Sequence, residues 1–399
     1  MSRHHGRLLL PLVLATIATQ ASLFTLVPLV VAIGEDLDAS VSAVGQARSL
    51  LSVTAVLVSL GVGPLIDRRG VRPLVLWGGA LGIAGAGASA AAPSLPAFFA
   101  AQVLLGAAVA CLLSAGFAGV AAYFDDSDAP WAMGYVVGAQ SVAWIVGNPL
   151  IGLLEGALSW RAGYVVPAIA CAAAALAAVG APRGALAGAG RARDSRGIRD
   201  VLGDRSARSW TIAELVAYAA WAAELTYAGA FYIQTYDLDE STVGFLLAIP
   251  PLAFIAATLG TARLTERIRR RSLIVWSGFG MGGTLCLFLN ITPAPAFSVA
   301  VIVVLAVFAG LRSTGASSLG LDQLPDQPGS MMAARTASAQ LGYMIGAVAG
   351  GAVLAVADFG TLGFAIFAGM GCSALLYLRV ADPAPHGRRR AALPDPVVD

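Results

Sequence analysis

Twelve apolar stretches of bilayer length, separated by short polar breaks, decide what this chain can fold into. Their approximate limits are 8–33, 41–65, 73–92, 97–122, 131–155, 161–181, 210–235, 242–262, 272–291, 296–318, 330–356 and 360–380. An α-helix needs about 20 predominantly apolar residues to cross a hydrocarbon core of roughly 30 Å, and each stretch meets that length. The tightest breaks are Pro-rich pieces such as Ala92-Pro93-Ser94-Leu95-Pro96 and Thr292-Pro293-Ala294-Pro295. Only 12% of the residues are charged, about half the ~25% usual in soluble domains, which excludes a large water-soluble core. The expectation is an all-α integral membrane protein of twelve transmembrane helices.

Arginine sets the orientation. The 25 basic residues are all arginine, and with the N-terminus inside, the even-to-odd loops, both tails and the inner ends of the adjoining spans hold all but Arg48, Arg161 and Arg312. The acidic clusters Glu35-Asp36-Asp38 and Asp237-Asp239-Glu240 then fall outside. This is the positive-inside pattern, which predicts that both termini are cytoplasmic; the expected location is the cell (plasma) membrane, multi-pass. Arg48, in the first turn of span two, is expected to pair with Asp36 at the outer surface. Residues 182–209 form the longest polar piece and divide the chain into an N-terminal six-helix bundle (1–181), a cytoplasmic linker (182–209), a C-terminal six-helix bundle (210–380) and a cytoplasmic tail (381–399).

Several chemistries are excluded. His4, His5 and His386 lie at the chain ends and no H-E-x-x-H occurs, so a membrane-embedded hydrolase lacks its ligands and bases. The four cysteines show no CxxC spacing, which speaks against a disulfide framework or a zinc site. No Walker A phosphate loop is present, so ATP hydrolysis is not the drive. No metal, cofactor or nucleic-acid partner is expected.

The two halves repeat one another. Leu65-Ile66-Asp67-Arg68 corresponds to Leu264-Thr265-Glu266-Arg267 at an offset of 199, and Gly147 and Gly152 correspond to Gly346 and Gly351 at the same offset. Asp36-Leu37-Asp38-Ala39-Ser40 is matched to Asp237-Leu238-Asp239-Glu240-Ser241, after which a two-residue gap brings Val44-Gly45 onto Val243-Gly244. Shared offsets of this kind are the mark of an internal structural repeat.

Between spans two and three lies Gly63-x-Leu65-x-Asp67-Arg68-x-Gly70-x-Arg72. It resembles the signature loop of the major facilitator superfamily, and the whole chain looks like such a transporter: twelve spans, a basic central linker and a degenerate second copy with Arg269 in place of the loop glycine. Within the superfamily it is most similar to the twelve-helix drug:proton antiporters and their sugar-efflux relatives. The resemblance implies two six-helix pseudo-repeats around a central cavity and a monomer that moves a small molecule through the bilayer, with protons as coupling partner. It further implies a gating role for the loop (Gly63, Asp67, Arg68, Gly70, Arg72), with Asp67 meeting the first turn of span eleven, Ser330 to Arg335.

Candidate residues follow from cost and spacing. A charge at the bilayer centre costs at least ~2.5–3.5 kcal/mol, so each intramembrane carboxylate needs a reason. Glu214 and Glu224 lie in span seven, within roughly an 80° sector that also holds Trp210 and Trp221. Glu224, nearer the middle, is the better proton-coupling candidate, and a fixed ion pair with Arg312 of span ten is the competing reading. For Glu214 the fixed pair is favoured. Gln20, Phe24, Gln102, Trp221 and Arg312 are the substrate-cavity candidates. Gln102 stands where drug:proton antiporters usually show an arginine. Gly147, Pro149 and Gly152 of span five and Gly346 and Gly350 of span eleven are helix-packing candidates, because small residues four apart let helix backbones approach. Proton-coupled efflux of a drug-like or metabolite molecule is the leading reading. Uptake or exchange of a small organic anion, motivated by Arg312 and by the missing charge at Gln102, and a non-transporting sensor are the alternatives.

Overall fold

The computed structural model describes residues 3–39, 41–125, 127–181, 197–238 and 246–382. Most of the expected linker (182–196), the tail beyond 382, and Asp239, Glu240, Val243 and Gly244 of the repeat lie outside the described residues. Among the described residues, eleven helices are long and apolar enough to cross a membrane. The twelfth, span seven (Arg205–Tyr236), is less apolar because it carries Glu214 and Glu224. Asp204 caps that helix, its carboxylate accepting from the Ala207 N–H at 2.7 Å.

Spans two (Val41–Arg69), three (Val71–Ala90), four (Leu95–Tyr123), nine (Arg270–Asn290), ten (Pro295–Leu321), eleven (Pro328–Val356) and twelve (Phe359–Tyr377) are single helices. Spans six (Trp160–Val179) and eight (Leu246–Thr265) complete the set with the two broken ones. Span one runs Arg3–Phe24, breaks at Thr25, and resumes as Leu26–Asp36. The Thr25 hydroxyl donates back to the Ala21 carbonyl at 2.6 Å, a bond that bends helices, and Arg48 donates to the Leu23 carbonyl beside the break. Span five runs Ala129–Gly138, Gln140–Val142, a π turn Ala143–Gly147, and Asn148–Ala157. Pro149 explains the π turn. Its ring would strike the carbonyl one turn back and it offers no N–H, so the helix widens immediately before it.

Glycine governs the approach of spans seven and eleven. A Cβ on Gly342 would stand 2.7 Å from Tyr218 Cβ, one on Gly350 3.0 Å from Ala223 Cβ, and one on Gly346 would collide with the Ala219 carbonyl. Span five differs from the expected packing face. Gly152 has nothing within 4 Å of an added Cβ and Gly147 has only Ala143 at 3.9 Å. Its close contacts come earlier, where Gly134 and Gly138 meet Thr258 of span eight. The π turn rotates Gly147 and Gly152 off the face that the first two glycines share.

The backbone also corrects the repeat. Among the described residues, two non-glycine residues adopt a left-handed conformation, Asp38 (φ 51°) and Asp237 (φ 54°), and they stand at the common offset of 199. The structural repeat therefore needs no gap, and Asp38 rather than Asp36 is the partner of Asp237. Aspartate tolerates this conformation better than most residues, which is why both positions carry it. In the loop, Gly70 (φ 81°) turns span two into span three, whereas Arg269, barred by its side chain from that region, turns with φ −59°.

Candidate functional site

The halves meet along spans two and eleven, four and eleven, and five and eight. The seam begins at the end that carries the arginine-rich loops. Asp67, fully buried, accepts from the Gly329 N–H (2.7 Å), the Ser330 N–H (3.0 Å) and the Ser330 hydroxyl (2.5 Å). A carboxylate there answers both the unpaired N–H groups and the positive dipole end of span eleven. Gly63 abuts Ser330, the Ser114 and Thr336 hydroxyls join at 3.0 Å, and the Ser52 hydroxyl donates to Gln340 at 3.2 Å. From Ser330 to Gln340 this seam closes about 15 Å of bundle length at 1.5 Å per residue. The short helix Ile198–Gly203 lies against its outer end, where Gln327 donates to Asp200 at 3.1 Å and Gly197 meets Pro64.

Beyond the seam the halves part around a cavity of about 180 Å³. One wall, from spans one and five, holds Gln20, Phe24, Gln140 and Trp144; the other holds Tyr218, Trp221, Glu224, Phe254, Ser313 and Tyr343. Gln20 donates to Gln140 at 2.9 Å, and the Phe24 and Trp144 rings lie 3.8 Å apart between centroids. Trp221 stacks on Phe254 with centroids 6.4 Å apart. The lining is aromatic with a few amide and hydroxyl groups, and among the described residues it contains one carboxylate, Glu224.

The two glutamates of span seven have opposite surroundings. Glu214 is fully buried, accepting from Arg312 at 2.6 Å and from the Tyr377 hydroxyl at 2.9 Å, with Arg335 Nε 3.9 Å from its second oxygen. Arg335 in turn donates to the Tyr218 hydroxyl at 2.6 Å and lies 4.1 Å over the Phe117 ring of span four. One carboxylate thus serves two guanidiniums. Glu224 is 5% exposed, and its Oε2 has no hydrogen-bond partner. The Trp221 indole, one turn back, is the polar group beside it, and no arginine forms an ion pair with it among the described residues.

The structure brings Gln20, Phe24, Trp221 and Glu224 into the cavity wall and leaves other candidates elsewhere. Gln102 is buried within the first half, donating to Ser89 at 3.0 Å, because span four turns that face toward span three. Arg312 is 3% exposed, occupied by Glu214 and Ser373, and only its neighbour Ser313 reaches the cavity. Arg335 points to Tyr218 and Glu214 rather than to Asp67. Arg68 is exposed and Arg72 lies beside Tyr123. Arg48 does not pair with Asp36, whose carboxylate takes Arg161 at 2.6 Å; Arg48 lies 5.2 Å over the Phe24 ring. Sequence reasoning passed over Gln140, Trp144, Tyr218 and Tyr343. Gln140 stands about two turns before the Gly147-Pro149-Gly152 motif, and Tyr218 lies four residues from Glu214, so helical spacing carries both signals.

A family model described as Major Facilitator Superfamily matches residues 12–239 and 210–397. Comparison with curated protein sequences finds no match. Among solved structures, the proton:xylose symporter XylE is similar with a TM-score of 0.74 at 11% identity, over 95% of this chain and 96% of that one. The human organic anion transporter MFSD10 (TETRAN) is similar with a TM-score of 0.77 at 15% identity, over 94% and 100% of the chains. The E. coli fucose:proton symporter FucP gives 0.73 at 14% identity, over 93% and 98%. At these identities the likeness shows a shared fold.

Proposed function

Because the chain belongs to the major facilitator superfamily, and is a multi-pass membrane transporter rather than an enzyme, we propose that it works by alternating access as a proton-coupled exporter of a small molecule. The observation that carries this reading is Glu224: a buried carboxylate on the cavity wall with no cationic partner. A charge left unpaired at this depth is costly unless it exchanges a proton or meets a charged ligand. Glu214, held by Arg312, Arg335 and Tyr377, is fixed and has no such freedom. With the arginine-rich loops in the cytoplasm, the seam from Asp67 to Gln340 is the closed inner gate and the cavity faces outward. A proton reaching Glu224 in this state neutralises it and releases a bound cargo; reopening inward lets the next cargo displace the proton.

The anion-exchange alternative rested on Arg312 and on the missing charge at Gln102; Arg312 is engaged by Glu214, and Gln102 is buried against Ser89 away from the cavity wall.

The test is uptake and counter-flow in proteoliposomes, wild type beside Glu224→Gln, with an imposed pH gradient and a panel of fluorescent cations, sugars and organic anions. The expected result is accumulation only against an opposing proton gradient, with Glu224→Gln exchanging cargo but failing to concentrate it. Transport that ignores the gradient, with the variant unaffected, would make Glu224 structural and remove the exchange reading.

A further inference from the structure

Arg48 is the one membrane-depth arginine that the site described above does not use. It sits on span two, one turn beyond Ser52, and Tyr343 sits one turn beyond Gln340 on span eleven. Ser52 and Gln340 are bonded across the halves, so Arg48 and Tyr343 occupy the next register position, where the seam opens into the cavity. The two are within electrostatic reach of each other. Phe24 and Tyr343, which flank the guanidinium, both line the cavity wall.

The guanidinium is underused. It has five N–H donors, and one is taken up by the Leu23 carbonyl at the break in span one. No carboxylate among the described residues lies within ion-pair distance of it, since Asp36 is engaged by Arg161. The Phe24 ring covers one face and leaves the in-plane donors free. An arginine stays charged wherever it is placed, so donors left free at this depth favour an anionic oxygen.

Depth relates Arg48 to Glu224. Nineteen residues separate Arg205 from Glu224 and nineteen separate Asp67 from Arg48, which places each about 28 Å from the arginine-rich end at 1.5 Å per residue. The first half therefore offers a free guanidinium at the level where the second half offers a free carboxylate. Phe24 and Tyr343 beside the guanidinium line the same cavity as Glu224, whose wall also carries Trp144 and Trp221.

We propose that Arg48 is an anion-binding subsite at the rim of the cavity, opposite Glu224, so that the preferred cargo is a small aromatic molecule bearing both an ammonium and a carboxylate group. This inference rests on the transporter reading, in which Glu224 faces the cargo. The ammonium meets Glu224, the carboxylate takes the free donors of Arg48, and the aromatic body fills the space between the rings. Because its charges contact opposite halves, such a cargo neutralises both free charges at once when the halves close over it.

A matched probe set tests this: phenethylamine, phenylalanine and 3-phenylpropionate share one aromatic body and differ only in the charged groups. Binding to the detergent-purified full chain is measured by titration calorimetry, and proton-driven transport is measured in proteoliposomes. Phenylalanine is expected to bind tightest, and Arg48→Gln is expected to weaken it by about tenfold or more, the loss of one charge-assisted contact, while leaving phenethylamine within about twofold. Arg48→Lys, which keeps the charge, is expected to restore most of the preference. Glu224→Gln should have the complementary effect, weakening both amines and sparing 3-phenylpropionate. Proton-driven transport of phenethylamine that persists in Arg48→Gln, with no preference for phenylalanine in wild type, overturns the subsite and leaves the exchange reading intact. A phenylalanine preference that depends on Arg48 without any proton coupling supports the subsite and removes the exchange reading instead.

Discussion

Glu214 and Glu224 share a helix and a face, yet their environments call for opposite responses to the same substitution. Glu214→Gln leaves Arg312 and Arg335 buried with no counter-charge, and breaking a buried pair this way costs on the order of 3–5 kcal/mol. Glu224→Gln removes a carboxylate that has no cationic partner and one oxygen without a hydrogen bond, so the expected change is within about 1 kcal/mol and toward greater stability. Thermal unfolding of the two variants in detergent, followed by tryptophan emission, checks the contrast; equal melting points would contradict it. The pairing was partly legible in the sequence. The observed helix ends supply the depth: nine residues separate Arg205 from Glu214 and nine separate Arg312 from Leu321, so both lie about 13.5 Å from the same end of the bundle. Helical-wheel angle, which groups both glutamates in one sector, lacks that depth coordinate and left Arg312 free to pair with either. Gln102 was misplaced for a related reason: its position on span four fixes its depth, but only the packing of spans three and four fixes which way it turns.

At the scale of elements, spacing identified small residues, while the path of the helix decided which of them pack. Gly346 lies directly against the Ala219 carbonyl, and Gly346→Ala is expected to cost about 1–3 kcal/mol through forced separation of spans seven and eleven. Gly152 is exposed with open space around it, so Gly152→Ala is expected to be neutral or stabilising by up to about 1 kcal/mol, the helix-propensity gain alone. Unfolding midpoints of the two variants measure this directly, and a larger loss at Gly152 would show that its face packs in another state of the cycle. At the offset of 199 Gly346 repeats Gly147 and Gly351 repeats Gly152, so the repeat in sequence predicts close packing of these glycines in both halves. The π turn ahead of Pro149 breaks that equivalence. A bend at Pro149 was readable; the rotation it imposes on everything after it was not, because a wide turn depends on what the freed carbonyls find nearby.

For the whole molecule the two halves repeat one another but close asymmetrically. The first signature loop sends Asp67 across to the N-terminus of span eleven. Its counterpart Glu266 is exposed, and Arg270, next to the loop, pairs with Asp322 of its own half. Arg269 is the cause: lacking the left-handed turn that Gly70 makes, the second loop cannot aim its carboxylate the same way. The seam of Asp67, Ser114 and Ser52 with span eleven is then joined at its arginine-rich end by the Asp67 carboxylate, with no matching contribution from Glu266. Three hydrogen bonds to a charged group, at roughly 1.5–3 kcal/mol for such bonds, are enough to shift a two-state equilibrium tenfold or more when they weaken. Asp67→Asn keeps the shape of the side chain and removes its charge, so it is expected to open the arginine-rich end of the seam at least tenfold more often. Glu266→Gln is expected to leave it unchanged. The readout is a cysteine placed at Ser52, on a background with Cys286 and Cys372 replaced, and labelled with a membrane-impermeant maleimide from the arginine-rich side. Ser52 lies at the deep end of the seam, so its labelling rate reports opening of the full length rather than fraying at the Asp67 end. Faster labelling in Asp67→Asn alone identifies a single-carboxylate lock, whereas equal acceleration in both variants would mean that the two halves share the closure after all.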